Sequence, residues 1–599
     1  MKIKKQKFIA VAIALSLTAC NEDSAIDDKK IEKVEYVTVT AKNGATVTGK
    51  VESGESVESF KGIQYATSER FEHSEMQALA GSIDATEFGA ICPQLGEKAG
   101  QQSEDCLFLN IWRPQGIEAG ENLPVYVFIH GGSFETGAGS TLVNHGDTIV
   151  SQGAEDNNRF ISVSINYRVG LLGSLWTNDD KGGNYGIGDQ KKALEWVNEN
   201  IADFGGNPAD VTVFGESAGA MSIGILQQET PKPEASVAGK YYQRAIMQSN
   251  PYGLAYKNYD SAEKLQQTLR QYVADEPKFE GKTLEQLSLE QIKDVQAYAK
   301  SGAVLLDSLL KFAPATSGML PFAPYIEQKK NIWGNVVVEG YHLTEQPVDT
   351  QFSVPTVIGF NTDESNIFTS MLEALLFVNI EDNDGKYVID HPAIPDLVRN
   401  NNMYDLSVRA FYGFNGVLKA QKLLGMENYQ PEDDSTLEGS SNNVAKFRML
   451  ANDMLFTCAS RKVVQNQADN NNGSNLTTMY HFDYAPSFNF WPLSVSPLTS
   501  LSCLNKDGSG KACHAAELPF VFNKAVDIAS QKVYTTKADR ALMDSMSRQW
   551  FKADTFTGTE MVTSRDNAVM INSGGFNSID SWDDTMNDSR CKDVSDLLL

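Results

Sequence analysis

Val211-Thr212-Val213-Phe214-Gly215-Glu216-Ser217-Ala218-Gly219-Ala220-Met221-Ser222-Ile223-Gly224-Ile225-Leu226 passes from a β-type run, through a Gly-x-Ser-x-Gly turn, into a helix-like stretch. A strand–turn–helix corner of this kind strains the backbone of its serine and exposes the Oγ, which is the geometry of a nucleophile elbow. Gly215 and Gly219 flank Ser217 because a Cβ at either position would collide with the neighbouring strand and helix. The pentapeptide alone is a modest signal, since an ordinary loop also satisfies it. Its weight comes from what surrounds it.

An activated serine needs donors for the oxyanion, a base, and a carboxylate that orients the base. In α/β-hydrolases the acid and then the base follow the serine along the chain. Upstream, Val125-Tyr126-Val127-Phe128-Ile129 reads as a buried strand that empties into His130-Gly131-Gly132-Ser133-Phe134. The N–H groups of so glycine-rich a turn can be left unpaired and aimed outward, so this is the expected oxyanion loop. The N–H of Ala218 adds a further donor.

The chain has seven histidines, and the order rule removes His73, His130 and His145 and disfavours His342. His481 lies in Tyr480-His481-Phe482-Asp483-Tyr484, whose alternation reads as a half-buried strand and gives the histidine a structural place. His391, in Asp390-His391-Pro392, reads as a surface turn. His514 sits in Lys511-Ala512-Cys513-His514-Ala515-Ala516-Glu517-Leu518-Pro519-Phe520, a loop pinned by a cysteine and followed by an apolar anchor, and is the chosen base. For the acid, Val357-Ile358-Gly359-Phe360 reads as a strand whose end carries Asn361-Thr362-Asp363-Glu364-Ser365. On spacing, Asp363 and Glu364 serve equally.

Together with Glu104-Asp105-Cys106-Leu107-Phe108-Leu109-Asn110-Ile111, Asn166-Tyr167-Arg168 and Gly183-Asn184-Tyr185-Gly186, these segments resemble the type-B carboxylesterase/lipase family, the branch of α/β-hydrolases that includes cholinesterases and bacterial carboxylesterases. The resemblance runs from about residue 40 to the helix near Trp550. It implies an α/β fold with a central, mostly parallel sheet flanked by helices and a helical region beside the gorge. It also implies the triad Ser217, Glu364 and His514, with Asp363 only a neighbour; oxyanion donors Gly132, Ser133 and Ala218; and Ser249 as a serine supporting the acid. Ser133 and Ser365 stand where the family often has smaller residues, which bears on pocket shape rather than on catalysis. The segment between Cys92 and Cys106 lacks the tryptophan that receives choline in cholinesterases, which argues against a choline ester.

Lys2, Lys4, Lys5 and Lys7, the apolar run Phe8 to Leu17, and Leu17-Thr18-Ala19-Cys20 resemble a bacterial lipoprotein signal. On that reading residues 1–19 are the signal peptide, Cys20 is lipidated, 20–34 form a flexible tether and 35–599 a single catalytic domain. The protein is then exported and held at the bacterial outer membrane, Asn21 in place of Asp favouring that membrane. Six cysteines remain. Cys92 with Cys106 matches the family's first disulfide, Cys503 with Cys513 would close a small loop before His514, and Cys458 with Cys591 is left by subtraction. Connectivity is not fixed by sequence alone.

The net charge of −26 argues against nucleic acid and against broad attraction to anionic lipid. No His-Glu-x-x-His spacing occurs, and Gly281-Lys282-Thr283 has Glu276 where a P-loop needs its first glycine. No metal or organic cofactor is expected. Helical spacing over 260–312 predicts core-packing helices beside the gorge, and Leu542, Met546, Trp550 and Phe551 mark the apolar face of a late helix. The expected activity is hydrolysis of uncharged small-molecule carboxylic esters of short to medium acyl length. A lipase of long-chain or sterol esters and a non-enzymatic surface adhesion module are the alternatives.

Overall fold

Runs of valine, isoleucine and aromatic residues with no polar alternation form strands buried on both faces, as a parallel sheet covered by helices requires. In the computed structural model such strands make up the centre of a 13-stranded sheet. The structure describes residues 34–52, 54–96, 101–301, 304, 315–365, 380–383, 386–389, 403–412, 416–433, 437–470, 477–492, 494–496, 499–500, 510–552, 555, 567–582, 586 and 589–598. Cys20, the tether as far as residue 33, His391 and Cys503 lie outside them, and Tyr36–Leu599 is one compact unit.

The sheet strands are β1 (Tyr36–Thr40), β2 (Thr46–Val51), β3 (Val57–Gln64), β4 (Ser82–Asp84), β5 (Phe108–Pro114), β6 (Leu123–Ile129), β7 (Ile161–Ile165), β8 (Gly206–Glu216), β9 (Arg244–Gln248), β10 (Thr356–Asn361), β11 (Thr477–Phe482), β12 (Ala568–Asn572) and β13 (Gly575–Ile579). Their spatial order is β1-β2-β3-β5-β7-β6-β8-β9-β10-β11-β12-β13, with β4 beside β2. From β7 to β12 every neighbouring pair is parallel, while the flanks are antiparallel apart from β4, which runs parallel to β2. After β6 the chain steps to one side to make β7, then crosses to the other side to make β8. Their adjacent carboxyl ends therefore form a switch point, where open α/β sheets place their ligands.

The helices used below are α1 (Asp147–Glu155), α2 (Gly170–Gly173), α3 (Tyr185–Asn200), α4 (Ala218–Leu226), α5 (Tyr259–Asp275), α6 (Leu289–Ala299), α7 (Leu437–Asn452), α8 (Cys458–Asn470), α9 (Lys537–Trp550) and α10 (Arg590–Val594). α4 is apolar all round and wholly buried, as a helix rising from a central strand must be. α5 and α6 fall in the stretch read as helical, and their Leu265, Leu269, Ile292 and Val295 pack with Leu171 and Leu172 of α2 in a core of their own. α9 buries Leu542, Met546 and Trp550, with Phe551 following.

Strand β11 corrects one expectation. Tyr480, His481 and Phe482 are all buried, because both faces of the strand are covered: Trp550 of α9 packs on Tyr480 at 5.3 Å between ring centroids, and Trp582 on His481 at 6.0 Å. His481 is held by Thr362 Oγ1 at 2.9 Å and by the indole N–H of Trp582 at 3.2 Å, away from His514.

Two disulfides, Cys92–Cys106 and Cys458–Cys591, join described residues, and Cys513 is also disulfide-bonded. The second ties α10 to the start of α8. There α7 and α8 are joined by a π-helical turn, Asp453–Thr457, an irregularity common at functional sites. Buried Asp453 accepts hydrogen bonds from Tyr429 Oη at 2.8 Å and from Arg590 at 2.9 Å, so the C-terminal helix braces that turn.

Candidate active site

The register of β6, β8, β9 and β10 lines up their carboxyl ends. Gly215 pairs with Ile129, Glu216 with Gln248, and Gln248 with Gly359. The residues that follow, His130 to Phe134, Ser217, Ser249 and Glu364, consequently emerge on one edge of the sheet.

Ser217 adopts φ 54° and ψ −119°, the strained corner expected of an elbow. Its N–H donates to Gln248 O at 2.9 Å, and its carbonyl accepts from Met221 N–H at 2.8 Å, so strand and helix both fix it. The space argument for the flanking glycines also holds: a Cβ on Gly219 would lie 2.0 Å from Ile129 O. The glycine-rich loop 130–134 packs directly on the elbow, since a Cβ on Gly131 would sit 3.1 Å from Ser217 Cβ.

Gly132, Ser133 and Phe134 have φ of 107°, 59° and 60°. Left-handed backbone at a non-glycine costs on the order of 1–3 kcal/mol and persists where the surroundings over-determine it. Here Gly132 O accepts the N–H groups of Glu135 at 2.9 Å and Thr136 at 3.0 Å, and Phe134 O accepts Gly170 N–H at 2.6 Å. Among the described residues the N–H groups of Gly132, Ser133 and Ala218 make no hydrogen bond. Ala218 is the first residue of α4, so its N–H has no partner inside the helix and lies at the positive end of its dipole.

His514 Nδ1 lies 2.6 Å from Glu364 Oε2. The other oxygen of Glu364 accepts Asn361 N–H at 2.6 Å, and that residue's amide also donates to Cys513 O at 2.7 Å and Glu517 Oε2 at 2.6 Å. Asp363, the alternative on spacing, instead donates its N–H to Ala512 O at 2.8 Å and so ties the acid's loop to the histidine's loop. Trp491 Nε1 donates to His514 O at 2.6 Å, and Phe456 from the π turn lies with its ring 5.3 Å from the imidazole. The Ser249 side chain is buried and makes no hydrogen bond among the described residues; its N–H donates to Gly359 O. Support for Glu364 comes from Asn361 instead.

The sequence reading passed over two further carboxyls. Glu216 Oε1 is 3.1 Å from His514 Nε2, and Glu517 accepts from Gln248 at 3.2 Å as well as from Asn361. Burial pushes Glu216 up to about 8 and Glu517 up to about 7, and neighbouring carboxylates reinforce both shifts. For His514 burial works the other way, but Glu216, Glu364 and Glu517 outweigh it and raise the imidazole to about 9. Glu216 Oε1 thus stands in ion-pair range of Nε2, and each ionised carboxylate around the ring favours the protonated imidazole. Ser217 Oγ makes no hydrogen bond among the described residues, so the resting imidazole faces Glu216. Glu216 was legible in the motif itself, and Glu517 sits three residues after His514, one turn away.

The chain is 30% identical over 429 residues to the "Crystal protein" of Dictyostelium discoideum, covering 70% of this chain and 63% of that one. It is 42% identical over 219 residues to the para-nitrobenzyl esterase of Bacillus subtilis (strain 168), covering 34% and 42%. The matches thus span less than two thirds of these relatives' own length. A solved PNB esterase superposes with a TM-score of 0.60 at 24% identity over 94% of this chain and 99% of that one, a likeness of fold. The Carboxylesterase family model matches residues 35–557, a span holding the elbow, the glycine-rich loop and the Glu364–His514 pair, and on that match the chain belongs to the carboxylesterase family.

Proposed function

We propose that the protein is a serine carboxylesterase acting on uncharged esters of short to medium acyl length. The observation that carries this reading is the 2.6 Å pairing of His514 Nδ1 with Glu364 at the strand edge that also bears the Ser217 elbow and unengaged N–H groups. In the mechanism, Ser217 Oγ displaces Glu216 from Nε2. His514 takes its proton as Oγ attacks the ester carbonyl, and Glu364 holds the ring and steadies the imidazolium. The negative oxygen of the tetrahedral intermediate sits on the N–H groups of Gly132, Ser133 and Ala218. His514 returns the proton to the leaving alcohol, and an acyl-Ser217 ester remains. Water activated by the same imidazole then releases the acid.

The short segment between Cys92 and Cys106 favours smaller acyl groups over a lipase's long chains. Hydrolysis of p-nitrophenyl esters from acetate to palmitate, by the chain lacking residues 1–20 and by its S217A variant, tests both points. Loss of activity in S217A supports the nucleophile, and an optimum at palmitate would replace esterase with lipase. A folded wild-type domain inactive on every ester would favour a binding role. The lipobox-like Leu17-Thr18-Ala19-Cys20 further supports an exported protein anchored in a membrane through Cys20. Labelled palmitate incorporated by the full chain and lost in C20S is the result expected of that anchor.

A further inference from the structure

The left-handed run of Gly132, Ser133 and Phe134 needs support from outside the loop, and two supports come from one helix. Gln296 and Lys300 stand four residues apart at the C-terminal end of α6, on one face of it. Gln296 Oε1 accepts the N–H of Leu171 at 3.1 Å and so fixes the first turn of α2, whose Gly170 donates to Phe134 O at 2.6 Å. Lys300 Nζ pairs with the carboxylate of Glu135, the residue directly after the left-handed run. The carboxylate side chain is 11% exposed and that of the lysine 36%, so the pair is partly shielded from solvent, and the cation lies at the negative end of the α6 dipole. Buried Lys257, held by the carbonyls of Leu320 at 3.1 Å and Ala323 at 2.8 Å, lies near Glu135 as well, but burial pulls its ammonium down to about 7, so Lys300 is the firmer partner.

We propose that Glu135 and Lys300 are positioning residues through which α6 clamps the oxyanion loop and keeps the Gly132 and Ser133 N–H groups on aim. The proposal rests on the reading of Ser217 as nucleophile. It makes the ion pair matter to the rate step rather than to substrate binding, because the donors it holds engage fully only as negative charge develops on the ester oxygen.

The test is ester hydrolysis by K300M, with E135Q, K300R and R270M measured beside it. A misplacement of about 1 Å in a catalytic group costs about 10²-fold, so K300M and E135Q should each lose roughly 10- to 100-fold in kcat while KM stays within about threefold. K300R should recover most of the rate. R270M, which breaks an exposed pair with Glu285, should leave it unchanged. Affinity for an alkylboronic acid, which adds to a serine as an anionic tetrahedral adduct, should fall in step with kcat/KM. Wild-type kcat in both K300M and E135Q, a loss confined to KM, or an unchanged boronate affinity would overturn the clamp. Should K300M fail to fold, E135Q, nearly identical in size to the parent, decides the matter. Equal rates for wild type and S217A would overturn the active-site reading and the clamp together, whereas an unimpaired K300M in a Ser217-dependent enzyme overturns the clamp alone.

Discussion

Glu216 Oε1 lies 3.1 Å from His514 Nε2, on the ring nitrogen turned away from Glu364. The residue before Ser217 thus lies where, on the proposed mechanism, the Ser217 hydroxyl must come. Two carboxyls grip one imidazole from opposite sides, and a third, Glu517, is tied to the same network through Asn361.

This arrangement predicts a pH effect. Burial lowers the His514 pKa, but Glu216 foremost, then Glu364 and Glu517, raise it to about 9. The base works only when neutral, so activity rises as pH passes upward through that pKa. Removing the Glu216 charge in E216Q takes away a raising influence, and the acid limb of kcat/KM should move to lower pH by roughly one unit. A pH profile on a neutral ester checks this, and a limb that stays put or moves upward would sink it.

E364Q keeps the shape of the orienting group but removes its charge and offers an amide to Nδ1, favouring the wrong tautomer. By analogy with the corresponding change in a serine-protease triad, kcat should fall by about 10³–10⁴. Active-site titration with a fluorophosphonate, run alongside, distinguishes slow chemistry from missing sites. A fall of less than tenfold would mean that Glu364 does not orient the base.

Gly132 combines φ 107° with a backbone oxygen, Thr136 O, only 2.2 Å from where a Cβ would stand. G132A must therefore move the loop, and with it two donors. The expected loss in kcat is about 10²–10³, the cost of one oxyanion donor. Unfolding followed by circular dichroism should show the sheet intact, and full activity in a folded G132A would contradict the loop's role.

Cys458 and Cys591 close a loop of 133 residues. The double serine variant should be less stable by on the order of 2–5 kcal/mol. Because the bond abuts the π turn that carries Phe456 against His514, some loss of kcat should accompany it. Urea unfolding with parallel rate measurements separates the two effects; unchanged stability would show that the Arg590–Asp453 pair suffices to brace the turn.

Much of the site was legible because local rules generate it. A β-run followed by Gly-x-Ser-x-Gly prescribes the strained corner at Ser217, and a core strand ending in His130-Gly131-Gly132 prescribes a loop with free N–H groups. What escaped depends on contacts far apart in sequence. Glu216 reads as the variable position of a motif, and its approach to His514 exists only once β8 and the loop after β11 share an edge. The π turn Asp453–Thr457 has the sequence of an ordinary helix, and within it Leu455 O accepts the N–H of distant Gly253 at 2.9 Å, a contact that no local pattern announces. His481 holds the structural place read for it, but not beside a solvated face: alternation in a short run suggests one, whereas Trp582 and Trp550, both far along the chain, cover the two faces of β11.

The order in which β6, β8, β10 and the His514 loop appear along the chain also sets an order in time. A growing polypeptide acquires its anion-holding loop first, its serine next, then the acid, and its imidazole only after more than five hundred residues have been joined. On the proposed mechanism the serine has no base until that last loop docks beside Asp363 and Glu364, so the chain would stay chemically silent up to then and the appearance of turnover during refolding would mark that loop's arrival.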